Sequence, residues 1–218
     1  MNNKQKNDTS IRYNKVSKMN KSFMYQDLKR SNCYGVDFSK CNFNFTSLRG
    51  AHFKSCNFYG VSFKNAEAIG TNFKNSKFKY AILENMIFEG ANLDEADFTD
   101  AKFKNVVFVG CNIEKSKGIN TTSNQIRIFD KMPEIEISER LENAIKHAMN
   151  NKFVKMSRTL DTKDGSINTI SIMLLLENYK ENRLIDGLIL LGDKVDKEFS
   201  TLSYINKSLE TYTKQGLM

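Results

Sequence analysis

Six side chains in this sequence belong to the types that bind metals or act as nucleophiles and general bases. They are four cysteines and two histidines, at Cys33, Cys41, Cys56, Cys111, His52 and His147. No two cysteines have the CxxC spacing of a zinc or redox site, and neither histidine has a catalytic or ligand partner near it in sequence. We therefore predict no metal site, no cofactor and no catalytic residue, and we expect the chain not to be an enzyme.

The cysteines lie within a repeat that has a period of five residues. A large apolar residue stands at nearly every fifth position from Phe23 to Ile113, and 12 of the 16 phenylalanines share this phase. Two residues before most of these centres the side chain is short, and three of the cysteines occupy that short position. Cys33 occupies a centre. Because free cysteine behaves as a small apolar residue, we predict a packing role for all four.

A period of five matches neither the 3.6 residues of a helical turn nor the two-residue alternation of a strand. It is typical of a chain that turns a corner every five residues, with one large and one small side chain pointing inward. Four such sides would close a coil of 20 residues. Four glycines recur at that interval, at Gly50, Gly70, Gly90 and Gly110. A type II turn requires φ > 0 at its third residue, which favours glycine or asparagine there.

Segments such as ANLDE at 91–95 and ADFTD at 96–100 read A-(N/D)-(L/F)-x-x, and this pattern continues through residues 21–120. It resembles the pentapeptide-repeat protein family. The resemblance implies a right-handed quadrilateral β-helix of about five coils. The predicted fold class is therefore a mainly β solenoid followed by an α-helical region. The predicted core of the solenoid consists of Phe38, Phe43, Phe53, Phe58, Phe63, Phe73, Phe78, Phe88, Leu93, Phe98, Phe103 and Phe108.

These patterns divide the chain into three parts. Residues 1–20 are polar and are expected to cap the solenoid or to be flexible. Residues 21–120 form the repeat, and residues 121–218 are expected to form a helical C-terminal region that serves as a cap and for dimerisation or partner docking. Predicted elements in this last part are a helix over 138–156, a turn at 162–166, apolar segments at 170–179 and 184–191, the second closed by Gly192, and a helix over 193–213.

Targeting signals are not evident in the sequence. There is no apolar run of about 18 residues, and the polar N-terminus lacks the apolar region of a secretory signal. We expect a cytoplasmic protein, and the abundance of Lys, Asn and Ile suggests a bacterial source.

Charge is unevenly distributed. Residues 21–80 carry 10 basic and 3 acidic side chains, whereas residues 81–100 carry six acidic side chains and no basic one. On a square coil these six would lie on all four sides and form an acidic collar. The collar is either ordinary solvated surface or a docking ring for a basic partner. It comprises Glu84, Glu89, Asp94, Glu95, Asp97 and Asp100.

The resemblance implies a scaffold that binds another macromolecule through its regular sides. Within the family, the best-known activity is binding of DNA gyrase by mimicry of DNA, which protects gyrase from quinolones. That function is disfavoured here because residues 21–80 are basic and because the C-terminal region is large. Alternatives are a homodimer through the C-terminal region, an enzyme within that region, and weak nucleic-acid binding. The phosphate contacts for the last would be Lys29, Arg30, Arg49, Lys54, Lys64, Lys74, Lys77 and Lys79.

Overall fold

The computed structural model describes residues 10–218, which fall into two compact units. The first unit ends at Asp130, and the second runs from Lys131 to Met218. The first is a β-solenoid of about six turns, and the second is helical.

The solenoid is built from parallel pairings between residues 20 apart. Because the chain turns every five residues, each turn has four sides, which we number one to four from the sides centred on residues 13, 18, 23 and 28. Side one carries the strands β1, β2 and β3, side three carries β5 and β7, and side four carries β4, β6, β8 and β9. Side two is held by single bridges such as Ser17 to Asp37. The strands are Arg12–Asn14, Asn32–Tyr34, His52–Lys54, Glu67–Ile69, Ile82–Glu84, Ile87–Glu89, Lys102–Lys104, Val106–Val109 and Ile126–Phe129, for β1 to β9 in order.

Every corner from Lys15 to Gly110 places its last residue in the left-handed region, with φ between 48° and 63°. The centre residue closes the turn by accepting a hydrogen bond from the third residue after it, as Phe23 O does from Gln26 N at 3.1 Å. This confirms the corner geometry inferred from the glycine column. Glycine and asparagine reach such φ values at little cost, whereas an aromatic residue does so only with strain. Three corners nevertheless carry an aromatic residue, at Tyr25, Phe45 and Tyr80.

The inward centres form columns of stacked rings. In one column Phe58, Phe78 and Phe98 stack with centroid separations of 5.1 and 4.5 Å. All the predicted core residues except Phe103 are buried. Phe103 is half-buried because the residue 20 positions later on its side is Ser123, which offers no ring to cover it.

The short inward side chains are hydrogen-bonded between turns. Ser76 Oγ donates to Phe53 O at 2.6 Å and accepts from Cys56 N at 3.1 Å. The same donation to the carbonyl 23 residues earlier is made by Thr46, Thr71, Cys41, Cys56, Cys111 and Ser116. A short side chain with an O–H or S–H group therefore fits this position, because it gives a carbonyl of the preceding turn a hydrogen-bond donor.

The solenoid extends beyond the predicted 21–120 at both ends. Lys15 N and Lys18 N donate to Tyr34 O and Asp37 O at 2.8 and 2.7 Å, so residues 11–20 belong to the first turn rather than to a separate cap. At the other end β9 pairs in register with β8. Backbone hydrogen bonds continue where bulky centres are missing, which is why the apolar pattern underestimates the length. Residues 1–9 of the expected cap lie outside the described residues.

The second unit contains five helices: α1 Glu139–Asn150, α2 Lys152–Ser157, α3 Thr169–Leu176, α4 Glu181–Lys194 and α5 Leu202–Lys214. The predicted helix over 138–156 is broken at Asn151, whose backbone is extended. Its Oδ1 accepts from Phe153 N at 2.9 Å and so caps α2. Its Nδ2 donates to Gly192 O and Val195 O, each at 2.9 Å, at the end of α4.

The prediction that Gly192 ends a helix is wrong, because α4 continues to Lys194. A Cβ at Gly192 would lie 2.8 Å from a His147 ring carbon and 3.1 Å from Ala148 Cα, so glycine is needed for the close approach of α1 and α4. The predicted helix over 193–213 begins only at Leu202, whereas the turn at 162–166 is present, between Asp161 and Ile167. Within residues 10–218, no helix combines the length and the apolar character needed to cross a membrane.

Candidate interaction surfaces

Three of the four cysteines are buried, and the fourth, Cys111, is half-buried. Cys33, Cys41 and Cys56 are only 1–2% exposed. Burial raises the pKa of Cys33 to about 11 and that of Cys56 to about 12, and it also raises the pKa of Cys41 and of Cys111. Because the thiolate is the reactive form, a raised pKa makes these thiols less reactive at neutral pH.

Each of the two units contains one of the two histidines. His52 is exposed on β3. His147 on α1 places its Nε2 2.8 Å from Asp193 Oδ1 on α4, and both side chains are about half exposed. This contact links two helices whose residues are 46 apart in sequence, so sequence proximity could not reveal it.

At least three of the six members of the acidic collar are paired with lysines of adjacent turns. Glu84 lies 2.9 Å from Lys64 Nζ and 2.6 Å from Lys104 Nζ, and the hydrogen bond from Lys104 is the main reason why its pKa is lowered. Asp94 pairs with Lys74 at 3.6 Å, and Asp97 pairs with Lys79 at 3.5 Å. The collar is therefore not a continuous ring of uncompensated negative charge.

The other three members of the collar lie in different surroundings. Glu89 ends β6 on side four, and Glu95 is at a corner with φ of 58°. Asp100 accepts a hydrogen bond from the Tyr80 hydroxyl, which raises the pKa of that tyrosine. The structure thus brings Asp97 and Asp100 together on side two but leaves Glu84, Glu89 and Glu95 on other sides.

The eight basic residues considered for nucleic-acid binding do not form a track. Side one carries Lys54 and Lys74, side two Lys77 and Lys79, side three Lys64, and side four Lys29, Arg30 and Arg49. At least four of them are within ion-pair distance of a carboxylate, at Lys29, Lys64, Lys74 and Lys79. A strand of phosphates running along one side would meet one to three of these cations.

Exposed aromatic side chains form a pair on side two. Tyr59 and Tyr80 are 42% and 51% exposed, and their rings meet edge to face at 5.3 Å. The two residues are 21 apart, which is one 20-residue turn plus one position, so the repeat could have predicted the pair. A second pair, Tyr25 and Phe45, stacks in parallel at 4.8 Å at the corner that follows side three.

The fold defines a β-solenoid repeat scaffold with regular outer sides. A comparison with protein families matches residues 36–117 to the pentapeptide repeat region. This match covers the central part of the solenoid, which is therefore a pentapeptide repeat region by its sequence as well as by its geometry. No curated protein matches the chain.

Several solved structures resemble the solenoid at low identity. One is a trypsin-treated variant of QnrB1, a plasmid-mediated fluoroquinolone resistance protein, at 19% identity and a TM-score of 0.39 over 50% of this chain and 68% of that one. Another is Rfr23 of the cyanobacterium Cyanothece 51142, at 20% and 0.29 over 54% and 84%. A third is HetL of Nostoc sp. strain PCC 7120, involved in heterocyst differentiation regulation, at 15% and 0.27 over 54% and 69%. At these sequence identities and TM-scores, no partner or activity of these proteins is assigned to this chain.

Proposed function

We propose that the solenoid is a non-enzymatic scaffold that binds a protein partner on side two, around Tyr59 and Tyr80. The observation that carries this proposal is the contact between two half-exposed tyrosine rings on a regular, rigid surface. Tyrosine is enriched in the centres of protein interfaces because it buries a large area with few rotatable bonds. Tyr80 also holds a left-handed corner position, which is an unfavourable choice for an aromatic residue.

Charged groups of both signs surround the tyrosine pair. Lys79 and Asp97 form an ion pair at 3.5 Å, and Asp100 accepts from the Tyr80 hydroxyl. An aromatic centre with a polar rim matches the usual anatomy of a transient interface. The collar thus contributes Asp97 and Asp100 to this rim, where a basic side chain of the partner would meet them.

Binding of DNA gyrase by DNA mimicry is the sharpest form of the scaffold hypothesis, and it is disfavoured here. Mimicry requires negative charge along the solenoid axis, whereas the acidic side chains concentrate in 81–100 and at least half of that collar is paired with lysines. We expect micromolar protein neither to inhibit supercoiling by purified gyrase nor to restore it in the presence of a quinolone. Either effect would place gyrase among the partners.

Weak nucleic-acid binding is the alternative function, and the excess of basic residues in 21–80 favours it. Contacts with phosphates release counterions, so such binding must weaken steeply with salt. Because the cations are spread over four sides, we expect no retention of duplex or single-stranded DNA at about 150 mM salt. Affinity that persists there and falls with further salt would favour this alternative.

A capture experiment tests the side-two proposal. The immobilised full chain would be exposed to nuclease-treated lysate of its source cells, beside a variant carrying Tyr59→Ser and Tyr80→Asn and a control carrying Tyr25→Asn. Asparagine suits the left-handed corner, so neither variant should lose stability. We expect a protein that the wild-type chain and the control retain and that the double variant loses. If the double variant retained the same proteins as the wild-type chain, the proposal would be contradicted.

A further inference from the structure

We propose that the outer edge of the first turn, residues 11–30, is a second docking site that accepts an extended acidic segment of a partner protein as an added β-strand. The site is separate from the side-two surface and does not depend on it. Three features of the first turn support it: a strand edge with which no other described strand pairs, a groove beside that edge, and a basic rim.

The strand edge follows from the hydrogen-bonding register. In each later turn, the residue before the centre bonds to the preceding turn, as Asn32 N does to Ile11 O at 2.8 Å and Asp37 N does to Val16 O at 3.0 Å. The residues at this position in the first turn are Arg12 and Ser17, and no described turn precedes them to accept such a bond. Among residues 10–218, β1 pairs only with β2, so the opposite edge of β1 faces no strand. Such an edge is a template for the addition of a strand.

A groove lies beside the same strand. An open cavity of about 480 Å³ is lined by all of β1, namely Arg12, Tyr13 and Asn14, and by Asn32 and Tyr34 of β2. The lining combines a guanidinium, two amides and two phenol rings, so it offers hydrogen-bond donors and flat apolar surface together. An extended peptide paired with β1 would place alternate side chains in this groove.

Positively charged side chains surround the edge of β1 and favour the binding of a negatively charged segment. Arg12, Lys15 and Lys21 have no carboxylate within ion-pair distance among the described residues, and Lys18 Nζ lies 4.3 Å above the Tyr13 ring. Asp27, the one acidic residue of 10–30, lies 2.5 Å from Lys29. A second copy of the chain would bring the same basic rim and be repelled. An acidic segment is complementary.

Peptide binding to the full chain tests this inference. The probe is a blocked peptide of alternating valine and glutamate with one tryptophan, whose fluorescence is unobscured because the chain contains no tryptophan. Two matched peptides replace glutamate by lysine or carry N-methyl groups at alternate residues. We expect each to bind at least about tenfold more weakly, since one loses the charge and the other the backbone donors. The variant Arg12→Glu/Lys15→Glu should lose binding similarly, whereas Lys102→Glu/Lys115→Glu and the side-two double variant should retain it.

Three outcomes would overturn the inference. Equal binding of the acidic and lysine peptides would remove the role of the basic rim. Full affinity of the N-methylated peptide would show that charge alone attracts the probe, without strand addition. Self-association in sedimentation velocity that Arg12→Glu/Lys15→Glu abolishes would assign the edge to a second copy of the chain. Failure of the capture experiment on side two would leave all three readouts unaffected.

Discussion

The small inward residue of each pentad decides how two successive turns are joined. Alanine fills this position in several pentads, but serine, threonine and cysteine also form a hydrogen bond to the turn before. Ser76 is the fullest example, because its hydroxyl both donates to Phe53 O and accepts from Cys56 N. The sequence predicted that these residues must be short. It could not predict their hydrogen bonds, which depend on the stacking distance between turns.

Replacement of Ser76 by alanine should lower the free energy of unfolding of the solenoid by about 1–2 kcal/mol, because a buried carbonyl and a buried amide each lose a partner. Urea denaturation followed by circular dichroism measures the change. Ser76→Cys serves as the control, since Cys41 makes the same donation to Lys18 O at 3.0 Å. An alanine variant as stable as the wild type would show that the hydroxyl contributes nothing beyond its size.

The buried thiols should make the stability of the solenoid depend on pH only in alkali. The pKa of Cys56 rises from 9.0 to about 12 on folding, so the folded chain holds this proton more tightly than the unfolded chain. This contribution to the free energy of unfolding is complete below pH 9 and is lost as the pH rises toward 12. Urea midpoints measured from pH 8 to 10.5 should fall less for Cys56→Ser than for the wild type. Rapid reaction of native Cys33 or Cys56 with a disulfide reagent at pH 8 would contradict the assigned burial.

At the scale of elements, each corner of the solenoid requires a residue with positive φ. The position of Gly118 also requires a residue without a side chain. Gly50 has φ of 63° and no atom within 4 Å of a Cβ placed on it. Gly118 occupies a centre position with φ of 79°, and a Cβ there would lie 2.5 Å from the carbonyl carbon of Phe98 and from Thr99 N. The repeat predicted a weak centre at 118. It did not predict this close approach, because the approach belongs to the neighbouring turn.

A pair of glycine substitutions separates the two effects. Gly50→Ala should cost about 1 kcal/mol, the usual cost of a left-handed non-glycine residue. Gly118→Ala should cost at least about 2 kcal/mol, because the methyl group meets rigid backbone rather than a flexible side chain. Thermal unfolding of the two variants beside the wild type measures the difference. Equal costs would mean that the turn around Phe98 moves freely to accommodate the methyl group.

The same contrast explains which elements the sequence could predict. The solenoid follows from a local period, since each pentad carries its own large centre, short inward residue and corner. The helix ends in the second unit do not, because Asn151 and Gly192 serve partners about 40 residues away. Asn151 breaks the predicted long helix in order to cap α2 and bind the end of α4, and Gly192 stays helical in order to let α1 approach.

At the scale of the whole chain, the distribution of paired and unpaired charge separates the possible functions. Lysines on successive turns neutralise at least half of the acidic collar, and the basic residues of 21–80 are divided among four sides. This arrangement suits neither a DNA mimic nor a phosphate-binding track. It leaves the tyrosine pair of side two and the basic edge of the first turn as the two most distinctive surfaces. The tyrosine pair could have been predicted from the 20-residue period. The edge could not, because the apolar pattern does not show at which residue the first turn begins.

The most direct test of the side-two proposal is photo-cross-linking in the source cells. The photoreactive residue p-benzoylphenylalanine would replace Tyr59, Tyr80 or, as a control on side three, Lys102. We predict one discrete cross-linked protein shared by the variants at 59 and 80 and absent from the variant at 102. Cross-links of equal strength at all three positions, or none at 59 and 80, would contradict a partner on side two.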